Sequence, residues 1–383
     1  MKEKLLKEFK KISDNIPALF RAPGRINLLG EHTDYNNGFV LPAAIDKSIW
    51  FAVSLRDDSE IHLHALDLED SFFGDVKSLK ISGKQWPDYL LGVLKEFDMQ
   101  APLTHGIDCV FCGDIPQGAG LSSSAALETG FAFAMNELLS RGYNKLDIVK
   151  IGQKSENDFV GLKCGIMDQF ASMFGKKNSV IQLDCRSLEY EYFPFYSDKY
   201  NLLLVNTKVH HSLASSEYNL RRNECEEGVA ILQKKNPEIK SLRDVSIELL
   251  LENKNAINET VFKRCKYVVE ENSRVEEACA MLKKSRFERF GELMFETHFG
   301  LSEEYDVSCK ELDFLVACAL ESDDVIGSRM MGGGFGGCTL NLVKKEAEEE
   351  FIKSVCKDFL KEFDITPEIY KVKIKNGIQQ INE

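Results

Sequence analysis

Four features of this 383-residue chain carry groups suited to chemistry. The first is Arg25, Asn27, Glu31, His32, Thr33, Asp34, Tyr35 and Asn36, a polar burst inside an otherwise apolar segment. Carboxylates, an imidazole and an amide so close in sequence suit a polyol, because each hydroxyl of such a ligand both donates and accepts hydrogen bonds. Asp, Asn and Thr also build turns, so a conformational role stands beside the binding one. The second is the run Gly118, Ala119, Gly120, Leu121, Ser122, Ser123, Ser124. Glycines let backbone come close to a ligand, and free N–H groups at the start of a following helix suit an anion such as phosphate. The three serines add hydroxyl donors and an oxygen ligand for magnesium, although serine is also a favoured helix cap. No lysine follows the last glycine at Walker A spacing.

The third feature, Gly332 to Gly337, formally satisfies G-x-G-x-x-G. A dinucleotide fingerprint must open a helix, whereas this run continues into a strand at Cys338, so the reading left is a close approach of backbone to backbone or to a ligand. The fourth is a pair of acids. Glu156 sits on the inward edge of a helical pattern, where a carboxylate needs a cation, either magnesium or a neighbouring arginine. Asp168 falls in the first turn of a helix, where the dipole favours its charged form or where it caps the helix.

The elements that must hold these groups are legible in outline. An amphipathic helix (Leu5, Leu6, Phe9, Ile12) precedes an ordered, irregular segment from Ala22 to Pro42. Residues 107–113 alternate as a half-buried strand, the glycine-serine run forms a loop, and Ser123 to Leu139 reads as a buried helix. Helices follow over Asp147–Phe159 and from Met167, with an irregular aromatic stretch near 190–200 as the junction between halves. The second half reads as helices over 215–233, 268–282 and 308–320. The glycine run, a strand, a helix over 345–359 and a strand through Tyr370, Val372 and Ile374 complete it. Helices and strands interleave without a strict strand-helix-strand repeat, which favours an α+β protein over a doubly wound sheet.

At 383 residues two domains are expected, placed at 1–190 and 191–383, with a cleft between them. A net charge of −13 with scattered basic residues argues against nucleic acid and anionic lipid as partners. No apolar run of eighteen residues and no basic-then-apolar leader is present, and eleven cysteines without a regular framework read as reduced thiols, so a cytoplasmic location is expected. Cys109 and Cys112, three apart on a strand, point to opposite faces and make a poor metal pair. His62 and His64 share a strand face without a third ligand nearby.

Taken in order, the segments resemble the GHMP kinase family, and Gly24 to Asn36 is similar to the galactokinase signature. The resemblance continues through Gly113–Glu128, Cys164–Phe170, His211–Cys225 and Arg329–Val343. It implies a two-domain α+β GHMP kinase fold with the active site in the cleft, and transfer of a phosphoryl group from ATP, with Mg2+, to the anomeric hydroxyl of galactose. By similarity, Glu31, His32, Asp34, Gly165, Asp168 and Tyr218 hold the sugar, and Ser124 and Glu156 coordinate magnesium. Gly118, Ala119, Gly120, Leu121, Ser122 and Ser123 wrap the phosphates, Trp86 and Tyr89 lie near adenine, and Arg25 and Asp168 form the catalytic pair. Lys163 replaces a proline and Met331 a threonine of the family pattern, which touches loop geometry and not the chemistry. Kinases for N-acetylgalactosamine or arabinose, and a non-catalytic sugar-sensing regulator of the same fold, are the competing readings. The regulator is disfavoured by the intact run Ser122 to Ala126.

Overall fold

The computed structural model describes residues 1–116, 118–209 and 214–381, apart from the side chains of Ala214 and Ser215. Gln117 and residues 210–213, which include the start of the expected His211–Cys225 match, lie outside the described residues.

Helix α1 (Lys2–Phe9) buries Leu5 and Phe9 under the strands β1 (Ala18–Asn27) and β3 (Pro42–Arg56), with the short β2 (Phe39–Val40) between them. The expected irregular segment is thus partly regular: residues 22–27 continue β1, because Ala22 and Ile26 pack inward as strand residues. Strands β4 (Glu60–Ala65) and β5 (Asp70–Asp75) precede α2 (Gln85–Gln100), which buries Leu90, Leu94 and Phe97. Strand β6 (Gly106–Gly113) is buried on both faces rather than half-buried, since it lies between β3 and β4 with helices on one side and α1 on the other. Its two cysteines accordingly separate, Cys109 into the main core and Cys112 toward α1.

Helix α3 (Ser123–Leu138) is buried from Ala125 to Asn136 except at Phe133 and meets the sheet at Gly130, where a Cβ would lie 2.5 Å from Ala22 Cβ. Helix α4 (Lys145–Lys154) opens with a capping box, Asn144 accepting from Asp147 N and Asp147 from Asn144 N. It ends five residues short of the expected Phe159, because residues 155–160 form a π-helical turn closed by Gly161. Such insertions are frequent at functional sites. Helix α5 (Met167–Phe174) and the hairpin β7 (Ser179–Asp184) and β8 (Tyr190–Pro194) complete this half.

The second half pairs β9 (Tyr200–Asn206) with later strands and inserts α6 (Ala214–Gln233), α7 (Ile247–Glu252), α8 (Glu259–Lys283), α9 (Phe287–Phe299) and α10 (Lys310–Leu320). Then come the hairpin β10 (Val325–Met330) and β11 (Cys338–Lys344), α11 (Glu348–Phe363), β12 (Glu368–Val372) and β13 (Gln379–Ile381). The glycine run joins β10 to β11 antiparallel, as a hairpin loop must. Among the described residues three sheets result, ordered β13-β1-β3-β6-β4-β5, β10-β11-β9-β12 and β2-β7-β8. From beyond the expected division at 190/191, β13 pairs with β1, and a bridge joins Ile45 to Ile374. One apolar cluster draws on both halves, including Ile26, Leu29, Leu121, Leu204, Leu293 and Leu340. The helices and mixed sheets make an α+β protein.

Candidate active site

Two adjoining cavities meet at the glycine-serine loop. The first, about 320 Å3, is lined by Arg25, Glu31, His32, Asp34, Glu156, Gly165, Asp168, Tyr218 and Gly332–Gly334 together with loop residues Gly118, Gly120, Leu121, Ser122, Ser123 and Ser124. The second, about 680 Å3, shares Gly118, Ser123 and Ser124 and extends over Trp86, Tyr89, Phe111 and Leu127. Ala119 faces neither cavity: it is fully buried in the apolar cluster beneath, so only its backbone belongs to the loop surface.

In the wall of the first cavity, against the loop that both cavities share, Arg25 and Asp168 form a fork. Nε donates to Oδ1 at 2.7 Å and Nη2 to Oδ2 at 2.8 Å. Nη1 donates to the Gly120 carbonyl, and Arg25 N to Leu121 O at 3.2 Å, so the loop is bound to β1 as well. Bidentate geometry is the strong form of this ion pair. Ser122 sits at the cap position of α3 in a left-handed conformation (φ 56°), and its hydroxyl donates to Asp168 Oδ2 instead of capping the helix. Asp168 is therefore held by Arg25 and Ser122, not by the start of α5, and its Oδ1, which takes one of these three bonds, keeps room for a further donor.

The sugar-signature turn is built for contact with a ligand. Glu31 is 2% exposed; Oε1 accepts from Gly332 N at 2.7 Å and meets Arg329 Nη2 at 2.7 Å, while Oε2 accepts from Asn27 Nδ2 at 3.0 Å. Arg329, fully buried, also donates to the Asn27 carbonyl. These contacts, with the Arg25 fork beside it, keep Glu31 below the usual carboxylate range despite its burial. The same contacts pin the glycine hairpin to the signature. Gly332 needs its lack of Cβ, which would press within 3.3 Å of Gly120 Cα, so the two glycine loops touch backbone to backbone. Asp34 is only partly buried, yet burial and then the neighbouring Asp168 raise it to about 7. Gly165 lies directly against it: an added Cβ would fall 2.8 Å from Asp34 Cβ and closer still to the carboxylate. His32, with φ 62° and 3% exposure, packs between Tyr218 and Tyr305, ring centroids 5.3 and 4.9 Å away, and burial lowers it to about 4, leaving a neutral imidazole.

Glu156, carried inward by the π-helical turn, accepts from Gln169 Nε2 at 2.8 Å and the Cys164 thiol at 3.3 Å, and interacts with the Ser124 hydroxyl. None of these partners is a cation, so the alternative of a neighbouring arginine does not hold for the contacts present. Beside it, Glu128 is fully buried; its oxygens have no aligned hydrogen-bond partner, with Gln169, Ser155 and Glu156 standing near but off alignment. Burial and Glu156 push Glu128 well above the usual range. In the second cavity, Trp86 Nε1 donates to Asp70 at 2.9 Å, which fixes the indole as a wall.

Every sequence-expected site residue except Ala119 lines one of the two cavities. Three residues were not foreseen: Glu128, Arg329 and Cys164. A lone glutamate in the apolar helix, four residues after Ser124, and a lone arginine in an apolar strand were the available signals for the first two.

The galactokinase galactose-binding signature matches residues 7–55, GHMP kinases N terminal domain matches 88–176 and GHMP kinases C terminal matches 275–362. Galactokinase of Clostridium acetobutylicum is 39% identical over 388 residues, covering 99% of this chain and 98% of that one. The chain belongs to the galactokinase family. Galactokinase of Thermotoga maritima is 40% identical over 94% of this chain and 99% of its own. The crystal structure of Lactococcus lactis galactokinase complexed with galactose superposes with a TM-score of 0.95 at 32% identity, covering 99% of both chains. Methanococcus jannaschii mevalonate kinase, at 20% identity and a TM-score of 0.67, shares the fold. This galactokinase-family chain is accordingly an ATP-dependent sugar kinase of the GHMP type. Among the described residues no helix is long and apolar enough to cross a membrane.

Proposed function

We propose that this protein transfers the γ-phosphoryl group of ATP to the anomeric hydroxyl of galactose, giving galactose 1-phosphate and ADP, with Arg25 and Asp168 as the catalytic pair. The observation that carries the proposal is the position of the Arg25–Asp168 fork, in the wall of an acidic cavity of hexose size and bonded to the glycine-serine loop that this cavity shares with a larger one walled by aromatic rings. Galactose occupies the first cavity against Glu31, His32, Asp34, Gly165 and Tyr218. ATP lies with its base beside Trp86 and Tyr89 and its phosphates over residues 118–124.

In the transfer, the anomeric oxygen forms a bond to the γ-phosphorus, the bond from that phosphorus to the β,γ-bridging oxygen breaks, and ADP leaves. Charge gathers on the transferred group, so positioning and electrostatics carry most of the rate. Asp168 accepts the hydrogen bond of the anomeric hydroxyl, orients its oxygen and takes the proton late, once bond formation has made that hydroxyl acidic. Arg25, held rigid by two bonds to Asp168 and one to Gly120, presents its charge to the transferred group. The Ser124 hydroxyl and the Glu156 carboxylate are hard oxygen donors beside a second carboxyl, Glu128, a set that fits magnesium. Ser124 and Glu156 would hold magnesium there, and the ion would supply positive charge to the phosphates. Eleven free cysteines and the need for ATP support a cytoplasmic location.

A coupled ADP-release assay with ATP, magnesium and a sugar panel tests the proposal. Rapid release with galactose, and little with N-acetylgalactosamine or arabinose, is expected; no release with any sugar, or a strong preference for another one, overturns it. Chelation of magnesium is expected to stop the reaction.

A further inference from the structure

A chain of hydrogen bonds runs away from the sugar cavity behind His32. His32 Nδ1 lies 2.7 Å from the Tyr35 hydroxyl, which lies 2.8 Å from the Tyr305 hydroxyl, which lies 3.2 Å from Cys225 Sγ. Tyr305 and Cys225 are fully buried, so the far end of the chain is closed to water. The other ring nitrogen, Nε2, is buried with no aligned partner among the described residues, on a residue that lines the cavity.

We infer that Tyr35 is a positioning residue that fixes His32 in the tautomer with its proton on Nε2, making the imidazole a hydrogen-bond donor to the sugar. Each hydroxyl and thiol in the chain has one proton, so the chain runs in one of two directions. In the first, the thiol donates to Tyr305, Tyr305 to Tyr35 and Tyr35 to Nδ1. In the second, all are reversed and Nδ1 carries the proton. The first direction pairs the phenol, an acid that ionises near 10, with an imidazole nitrogen, the strongest base in the chain. The second pairs a far weaker acid, neutral imidazole N–H, with a phenol oxygen, a poor base, and it ends on sulfur, a weak acceptor. The first is therefore favoured. Burial keeps the ring neutral, so that one nitrogen only is protonated.

The consequence for recognition is specific. Glu31 and Asp168 offer the sugar acceptors, Asp34, raised to about 7, carries its proton only part of the time, and Arg25 is engaged by Asp168 and Gly120. A donor on His32 gives a sugar oxygen the partner that the carboxylates cannot. This step rests on galactose as the substrate; the tautomer itself does not.

The experiment is 15N NMR of the full-length protein labelled at histidine, without sugar, with the His32 signal among the seven histidines assigned by a His32→Gln variant. The wild type is expected to show protonated Nε2 and unprotonated Nδ1. Tyr35→Phe is expected to shift the tautomer ratio roughly tenfold toward Nδ1–H and to raise the galactose KM by about the same factor, with kcat changed less and the ATP KM unaltered. Tyr305→Phe leaves the Tyr35–His32 bond in place and is expected to retain the wild-type tautomer, a difference that simple loss of packing does not produce. Protonated Nδ1 in the wild type, an unchanged tautomer in Tyr35→Phe, or a tautomer switch in Tyr305→Phe overturns the inference. Should the tautomer behave as expected while galactose fails as a substrate, the substrate reading falls and the Tyr35 role stands.

Discussion

Gly165→Ala adds one methyl group where the sugar cavity has no room for it. The new Cβ falls 2.8 Å from Asp34 Cβ, while ordinary contact begins near 3.4 Å, so Asp34 must retreat by at least 3.4 − 2.8 = 0.6 Å. Its carboxylate, nearer to the new atom than its Cβ is, must move further. Gly165 lacks a positive φ, so the substitution does not strain the backbone itself, and the fold is expected to survive. A carboxylate displaced by about 1 Å loses its hydrogen bond to a sugar hydroxyl and leaves that hydroxyl unpaired, a loss of about 1 to 3 kcal/mol. The galactose KM is then expected to rise roughly 5- to 150-fold, because each 1.4 kcal/mol is a factor of ten. The ATP KM should stay near the wild-type value, since Gly165 lines the first cavity and not the second. Steady-state kinetics with each substrate varied in turn makes the measurement. A galactose KM within twofold of wild type, in a variant with unchanged circular dichroism, would refute the assignment of Asp34 and Gly165 to the sugar.

Asp168→Asn keeps the size of the side chain but removes the charge and the proton acceptor, so turnover should fall at least a thousandfold while galactose binding stays measurable by calorimetry; near-normal turnover defeats the mechanism. Asp34, raised to about 7 by burial, holds its proton longer in the folded state than in the unfolded chain, so its contribution to stability is full below about 4 and is lost as pH rises through about 7. Asp34→Asn should therefore gain on the wild type as pH increases, reaching roughly 1 kcal/mol at pH 8 after allowance for partial exposure; a stability difference constant from pH 5 to pH 8 contradicts this. Trp86→Ala removes an aromatic wall of the second cavity and should raise the ATP KM about 2- to 12-fold with the galactose KM unmoved, and the opposite pattern would misplace the nucleotide.

Most of the site could be read from residue types because its pieces are local. The polar burst around Glu31, the serines opening α3 and Asp168 in the first turn of α5 each announce themselves within a few residues. Local patterns also gave α1, β6, α5 and β11 close to their observed limits. They failed where packing overrides periodicity. Residues 22–27 are strand because β3 pairs with them along one edge, and the helix expected to run to Phe159 stops at Lys154 because residues 155–160 turn π-helical, although Glu156 still faces inward as its pattern implied. Arg329 pairs with Glu31, 298 residues away (329 − 31), and Glu128 stands beside Glu156, 28 residues away (156 − 128), distances over which a sequence pattern carries no signal.

What the sequence alone supplied was a set of candidate groups: glycines and serines suited to an anion, and carboxylates suited to hydroxyls. Only the tertiary structure decided which of those groups meet. Arg25 and Asp168 are 143 residues apart, and their fork exists because β1 and α5 pack against one another under the loop of α3. Composition and spacing fix what a side chain is able to do, whereas long-range packing fixes what it does it with. A cleft between two halves of a chain is a product of the second.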